Sequence, residues 1–122
     1  MSFDYDLIVI GAGSGGVRLS RMAANKGWKV AAVEERYLGG TCVNVGCVPK
    51  KLFVYASEYP AKFSQAKNYG VNGTLESIDW PTLRDNKTNE INRLNGIYRN
   101  LLEGPGVTII DGHGKVTGTN RV

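Results

Sequence analysis

Apolar residues first gather in YDLIVI, Tyr5–Ile10. The run lacks the polar alternation of a half-exposed strand, so it predicts a short strand covered on both faces. It passes directly into GAGSGG, and SGGVRLSRMAANKG then has the spacing of a helix closed by Gly27. Trp28–Val33 predicts a second strand ending at Glu34, so the first third of the chain forms a βαβ unit. After Lys50 the segment KKLFVYASEYPAKFSQ is amphipathic at helical spacing, with an interruption expected at Pro60. NYGVNGTLESIDW, with its two glycines, predicts a surface loop. Asp79 is placed to cap a helix from Trp80 to about Glu103, whose stripe Leu83, Ile91, Leu94, Tyr98 and Leu101 or Leu102 marks a buried face. Val107–Asp111 predicts a third parallel strand beside the second, and TNRV lies in an expected β-ribbon.

The pattern is that of an α/β chain, the N-terminal part of a doubly wound (Rossmann-like) domain with a parallel sheet and a helical insertion. In a doubly wound sheet of order 3-2-1 the first strand is central, but the residues covering its far side are expected to lie outside these 122, leaving that edge unpaired. The 122 residues suffice for one modest domain, and 42% hydrophobic with 21% charged residues is ordinary for a soluble protein. No apolar run approaches the roughly 20 residues of a membrane span. The net charge of +4 is dispersed, with Lys50-Lys51 the only adjacent basic pair, so a nucleic-acid partner has no support. The opening MSFDYDLIVIG is acidic before its short apolar run, unlike a signal peptide.

Within GAGSGG, the residues Gly11, Gly13 and Gly16 fill a G-x-G-x-x-G spacing. Gly11 permits a tight turn, Gly13 lets backbone approach a pyrophosphate, and Gly16 lets helix and strand pack closely. The start of the helix, Ser14, Gly15 and Gly16, offers unpaired N–H groups and a positive dipole end. Glu34, at the end of the second strand, is placed to accept the hydroxyls of an adenosine ribose. A surface glutamate is the plainer alternative. Glu35 argues against a 2′-phosphate here. The site suits an ADP moiety of either NAD or FAD.

Both cysteines fall in GGTCVNVGCVPKK. On an undistorted helix Cys42 and Cys47 would stand about 8–9 Å apart at Cα, whereas a disulfide needs roughly 4.4–6.8 Å. They meet only if the segment bends, and Gly46 makes a bend cheap. A structural staple fits poorly without a secretory leader. A metal site is not expected, since two cysteines and one distant histidine make a poor zinc set. A redox role is the reading the context favours, and a redox dithiol behind a dinucleotide fold calls for a flavin rather than nicotinamide alone.

On these residues the chain resembles the FAD-dependent pyridine nucleotide-disulfide oxidoreductases over its whole length, from GAGSGG through DGHGKV. Pro49-Lys50-Lys51 after the second cysteine is similar to the glutathione-reductase branch. Trypanothione reductases share P-K-K, but they carry acid and tryptophan where this helix carries Arg18 and Arg21. Mercuric and thioredoxin reductases, lipoamide dehydrogenases and an isolated nucleotide-binding module without turnover stand as alternatives. The resemblance implies FAD and NADPH as cofactors, glutathione disulfide as substrate, a homodimer and a cytoplasmic location. It implies a Cys42–Cys47 redox bridge, with Cys47 the flavin-side thiolate and Cys42 the interchange thiol. Lys50 would stabilise negative charge on flavin and thiolate, and Thr41 would hydrogen-bond the cofactor. Main chain at His113-Gly114 would contact the adenine. His113 receives no proton-transfer role, since the acid–base His–Glu pair of such enzymes comes from the other subunit. Ser14, Arg21 and Tyr98 would touch glutathione, although Arg21 alone reads as a solvated helix residue and Tyr98 as a core aromatic. Residues 1–122 are thus expected to be the N-terminal part of an FAD-binding domain, without NADPH-binding or interface domains and inactive alone.

Overall fold

Small and β-branched residues build the centre of the molecule. In the computed structural model, which describes residues 2–122, strands β1 (Leu7–Ile10), β2 (Val30–Glu34) and β3 (Thr108–Asp111) form one parallel sheet of order β1-β2-β3. Leu7 pairs with Val30 and Ile10 with Val33, while Ala31 pairs with Thr108 and Glu34 with Asp111. Val30, Ala31, Ala32 and Val33 are all buried, as a strand covered on both faces requires. The two alanines leave room for helices to sit close to the sheet. Among the described residues β1 pairs only with β2, so its other edge is left unpaired, as expected.

Helix α1 (Ser14–Ala24) returns the chain from β1 to β2 and buries Val17, Ser20, Ala23 and Ala24. Gly27, at φ 88°, lets the chain leave α1 through a left-handed turn. Val17 and Ala24 join Val9, Ala12, Leu38 and the fully buried Leu102 in one apolar cluster. Ser20 is the exception, because its hydroxyl is buried and has no hydrogen-bond partner among the described residues. An unpartnered buried hydroxyl costs about 1–3 kcal/mol. Ser20→Ala is therefore expected to raise stability by about 1–2 kcal/mol, read as a higher denaturation midpoint at unchanged slope. A lowered midpoint would mean that the hydroxyl has a partner.

Two short steps follow β2. Helix α2 (Gly40–Asn44) is a single turn, and α3 (Cys47–Ala66) follows after Val45-Gly46. The interruption expected at Pro60 is corrected, since α3 runs through it. Proline removes one N–H, leaving the Ala56 carbonyl without its intrahelical donor, and the flanking turns hold the helix together. Helix α4 (Trp80–Glu103) has the predicted limits. The Asp79 carboxylate accepts the Thr82 N–H at 3.1 Å and the Thr82 hydroxyl at 2.6 Å, which fixes its start. These bonds hold the Asp79 carboxyl below its usual range. Ile91 and Leu102 are buried on the expected stripe, with Leu83, Leu94, Tyr98 and Leu101 half-buried. Phe53 stacks on Trp80 at 5.5 Å, tying α3 to α4. At the C-terminal end, Gly118 and Arg121 form an antiparallel bridge, where a ribbon is expected. No described helix is long and apolar enough to cross a membrane.

Candidate active site

The turn from β1 into α1 is shaped by glycine at two positions. Gly11 takes φ 93°, and its N–H donates to the Val33 carbonyl at 2.7 Å, fastening the turn to β2. At Gly16 a Cβ would lie 1.8 Å from the Gly11 carbonyl oxygen, so helix and turn touch backbone to backbone. Gly13 has space around it, and α1 has neither a side-chain cap nor an acid in its first turn. The N–H groups of Ser14, Gly15 and Gly16 precede the first intrahelical bond, from Val17 N–H to the Gly13 carbonyl. Anion-binding donors thus stand ready at this helix end.

A cleft of about 340 Å³ opens beside that turn, lined among others by Gly11, Gly13, Glu34, Thr41, His113 and Gly114. It brings together most of the residues expected to bind a nucleotide. Ser14 and Gly15 are exposed at the helix start beside it. At Gly114 a Cβ would come within 3.1 Å of Ile10, so glycine there keeps the cleft wall thin. These residues fit the ADP end of a dinucleotide: a bare glycine turn for phosphates, a carboxylate at the end of β2, and backbone at the far wall.

Glu34 is more constrained than its place in the sequence implies. Its Oε2 accepts the Ala12 N–H at 2.7 Å and its Oε1 the Arg36 N–H at 2.9 Å. Burial pushes its carboxyl up, but the N–H groups of Ala12, Arg36, Tyr37 and Glu35 outweigh that and hold it below the usual carboxylate range. Each oxygen retains acceptor capacity, since an ionised carboxylate offers about four lone-pair sites. The result is an oriented, charged acceptor.

Sequence reasoning missed the neighbour of Glu34. The Glu35 carboxylate meets His113 Nδ1 at 2.6 Å across the cleft mouth, with both side chains largely exposed. The signal lay in the strand register: Glu34 stands opposite Asp111, and the Gly112 N–H donates to the Glu34 carbonyl at 2.8 Å. The next residues of the two strands therefore emerge side by side. An exposed pair of this type contributes little to stability.

The dithiol adjoins the cleft through Gly40 and Thr41, which line it at the start of α2. Gly40, at φ 64°, would place a Cβ 2.7 Å from the Gly13 Cα, so the dithiol loop and the glycine turn are in backbone contact. Gly46 makes the expected bend. A Cβ there would meet the Thr41 carbonyl at 2.9 Å and the Cys42 Cα at 3.3 Å. Cys42 is half-buried and Cys47 exposed. The Cys42–Cys47 bridge expected from the sequence is not formed in this structure, and both thiols are free. The Cys47 thiol nearby pushes the Cys42 thiol up, and desolvation adds to it. The Cys47 N–H and the Lys50 ammonium only partly offset the rise. Lys50 is exposed on α3, and its field reaches Cys42.

The residues expected to touch substrate are not drawn into the cleft. Arg21 is half-buried on α1, and Tyr98 is half-buried on α4 against the apolar cluster, as its helical spacing alone predicts. The two helices pack against each other, so both residues belong to one layer.

Residues 5–122 match the family model described as pyridine nucleotide-disulphide oxidoreductase. The chain is 50% identical over 120 residues to glutathione reductase of Burkholderia cepacia, covering 98% of this chain and 27% of that protein. It is 44% identical over 122 residues to glutathione reductase of Nostoc sp., covering 100% of this chain and 27% of the relative. It is also 44% identical over 131 residues to the chloroplastic/mitochondrial glutathione reductase of Pisum sativum, covering 98% of this chain and 24% of the relative. The chain spans about a quarter of the length of these curated relatives.

Proposed function

The chain belongs to the pyridine nucleotide-disulphide oxidoreductase family, and from that premise we propose that it forms the FAD- and dithiol-bearing part of an NADPH-dependent glutathione-disulfide reductase. One observation carries the reading: the Gly13–Gly40 contact joins a dinucleotide cleft to a loop with two free thiols. The name of the relatives, glutathione reductase, and the arginines on α1 support the substrate.

Gly11, Gly13 and the N–H groups of Ser14, Gly15 and Gly16 would hold the pyrophosphate of FAD. Glu34 would accept the ribose hydroxyls, His113-Gly114 backbone would contact the adenine, and Thr41 would hydrogen-bond the cofactor. Bound there, FAD supplies the two-electron link between a nicotinamide and sulfur. NADPH binds outside this segment.

The thiol chemistry belongs to the chain itself. The Cys42 Sγ, once deprotonated, attacks one sulfur of glutathione disulfide. A Cys42–glutathione bond forms, the substrate S–S bond breaks, and the first glutathione leaves as a thiolate that takes up a proton. Cys47 then attacks Cys42 Sγ, releasing the second glutathione and closing the Cys42–Cys47 bridge. Two electrons have passed from the dithiol to the substrate. Because the Cys42 thiol is held up, its deprotonation needs a base. The proposal assigns this to a His–Glu pair of the second subunit in a cytoplasmic homodimer. Lys50 steadies the thiolate.

Arg21 tests the substrate. Its guanidinium suits a glutathione carboxylate, and Ser14 and Tyr98 are the other expected contacts. In the full-length protein, Arg21→Glu is expected to raise KM for glutathione disulfide roughly tenfold, the size of one charge-assisted hydrogen bond. The rate of flavin bleaching by NADPH in stopped flow stays unchanged. An unaltered KM would make Arg21 a helix-surface charge and remove the main support for glutathione.

A further inference from the structure

The cysteine loop is anchored to α4 through two asparagines that the chemistry above leaves unused. Asn44 ends α2, two residues after Cys42. Its amide donates to the Leu38 carbonyl at 3.0 Å and to the Gly40 carbonyl at 2.9 Å, spanning the Gly39-Gly40 turn. Its remaining oxygen accepts Asn95 Nδ2 at 2.8 Å, a contact between residues 51 positions apart. Asn95 Nδ2 also donates to the Ile91 carbonyl at 2.7 Å, which fixes the amide on its own helix. Both asparagines are half-buried.

Helix propensity makes this arrangement conspicuous. Asn95-Gly96 puts two weak helix formers side by side in the middle of the 24-residue α4. Ala at 95 would favour the helix, so the asparagine stands against local preference, as expected where a side chain has another task. Beyond its own helix, its side chain bonds only Asn44 among the described residues. The short α2, one turn long between flexible glycines, cannot hold Cys42 at a fixed place by itself.

Resting on the reading of Cys42 and Cys47 as a redox pair, we infer that Asn95 is a positioning residue that sets the redox equilibrium of the dithiol by holding α2, through Asn44, at bridging distance from Cys47. The equilibrium between two thiols and their disulfide follows the effective concentration of one sulfur at the other. Loss of the anchor loosens α2 against α4 and lowers that concentration. The bridge is then less stable and the dithiol easier to keep reduced. Removing Asn95 leaves the two bonds from Asn44 to Leu38 and Gly40 in place, so the turn itself keeps its shape.

The full-length protein is equilibrated in mixtures of reduced and oxidised dithiothreitol, quenched, alkylated, and its bridged fraction read by mass. Asn95→Ala and the isosteric Asn95→Asp, which has no amide donor, are each expected to weaken the bridge about tenfold, a rise of about 30 mV for a two-electron couple. Asn92→Ala, on the exposed side of the same helix, stays at the wild-type midpoint. If Asn95→Asp lowers the melting temperature but leaves the redox midpoint where it was, the bond is structural only and the inference fails. If the wild type never forms the bridge in any mixture, the redox reading of the cysteines fails first and takes the inference with it.

Discussion

Gly16→Ala is expected to abolish nucleotide binding and to remove most of the folding stability, whereas Gly15→Ala, one residue away, leaves both intact. At Gly16 the added Cβ would sit 1.8 Å from the Gly11 oxygen and 2.9 Å from its carbonyl carbon. Neither atom belongs to a flexible side chain. Relief requires the turn to open, and Gly11 is fastened to β2 by its 2.7 Å bond to the Val33 carbonyl. Opening the turn also disturbs Val9, Ala12 and Val17, three members of the apolar cluster. Overpacking against mobile side chains costs about 1–3 kcal/mol, so a clash with pinned backbone lies at or above that range. The whole stability of a domain is only about 5–15 kcal/mol. At Gly15 a Cβ meets nothing within 4 Å, and the position is helical and exposed, so alanine is neutral or favourable there. Urea denaturation and ADP titration of the two variants check the contrast. Wild-type ADP affinity in Gly16→Ala would mean that the turn yields more easily than its bonds imply.

The features most legible in the sequence were those written in local chemistry. Tyr5–Ile10 announced a strand, and β1 occupies its last four positions, but only Val9 is buried and Ile10 is exposed, so the cover expected on both faces is not there. Asp79 and the stripe through Ile91 and Leu102 gave α4 its limits. The glycine spacing located the cleft, and Glu34 closes β2 at its edge. Features that depend on distant partners were hidden. Helix α2 is one turn long, too short for a periodic signal, and begins at two glycines with φ 89° and 64°. The Asn44–Asn95 bond joins two motifs that no local pattern connects. The Glu35–His113 contact follows from strand register, which a single sequence leaves open. At Pro60 the local rule predicted a break, and the turns on either side prevailed. The state of the cysteines is of another kind, since thiol and disulfide are two redox forms of one loop.

The division of labour between those cysteines gives the second large effect. Cys47 is the first residue of α3 and is exposed. Cys42 sits within the single turn of α2, and its thiol is held up first of all by its hydrogen bond to Cys47. Removing Cys47 should act in two ways at once. In the full-length protein, Cys47→Ala leaves Cys42 able to take one glutathione but unable to close the bridge, so turnover is expected to fall by at least about 10³-fold. The mixed disulfide with Cys42 then accumulates and is visible by mass. On the proposed role of Cys47 as the flavin-side thiolate, the reduced full-length protein is expected to show a long-wavelength absorption that disappears in Cys47→Ser. The same deletion removes the largest cause of the raised Cys42 value. The pH at which Cys42 becomes reactive toward iodoacetamide should accordingly move down in Cys47→Ala, since the neutral thiol loses the partner that stabilised it. A reactivity profile of Cys42 that stays where it is in the wild type would show that burial, not Cys47, governs this thiol. Retention of the long-wavelength band in Cys47→Ser would transfer the thiolate to Cys42 and reverse the two roles.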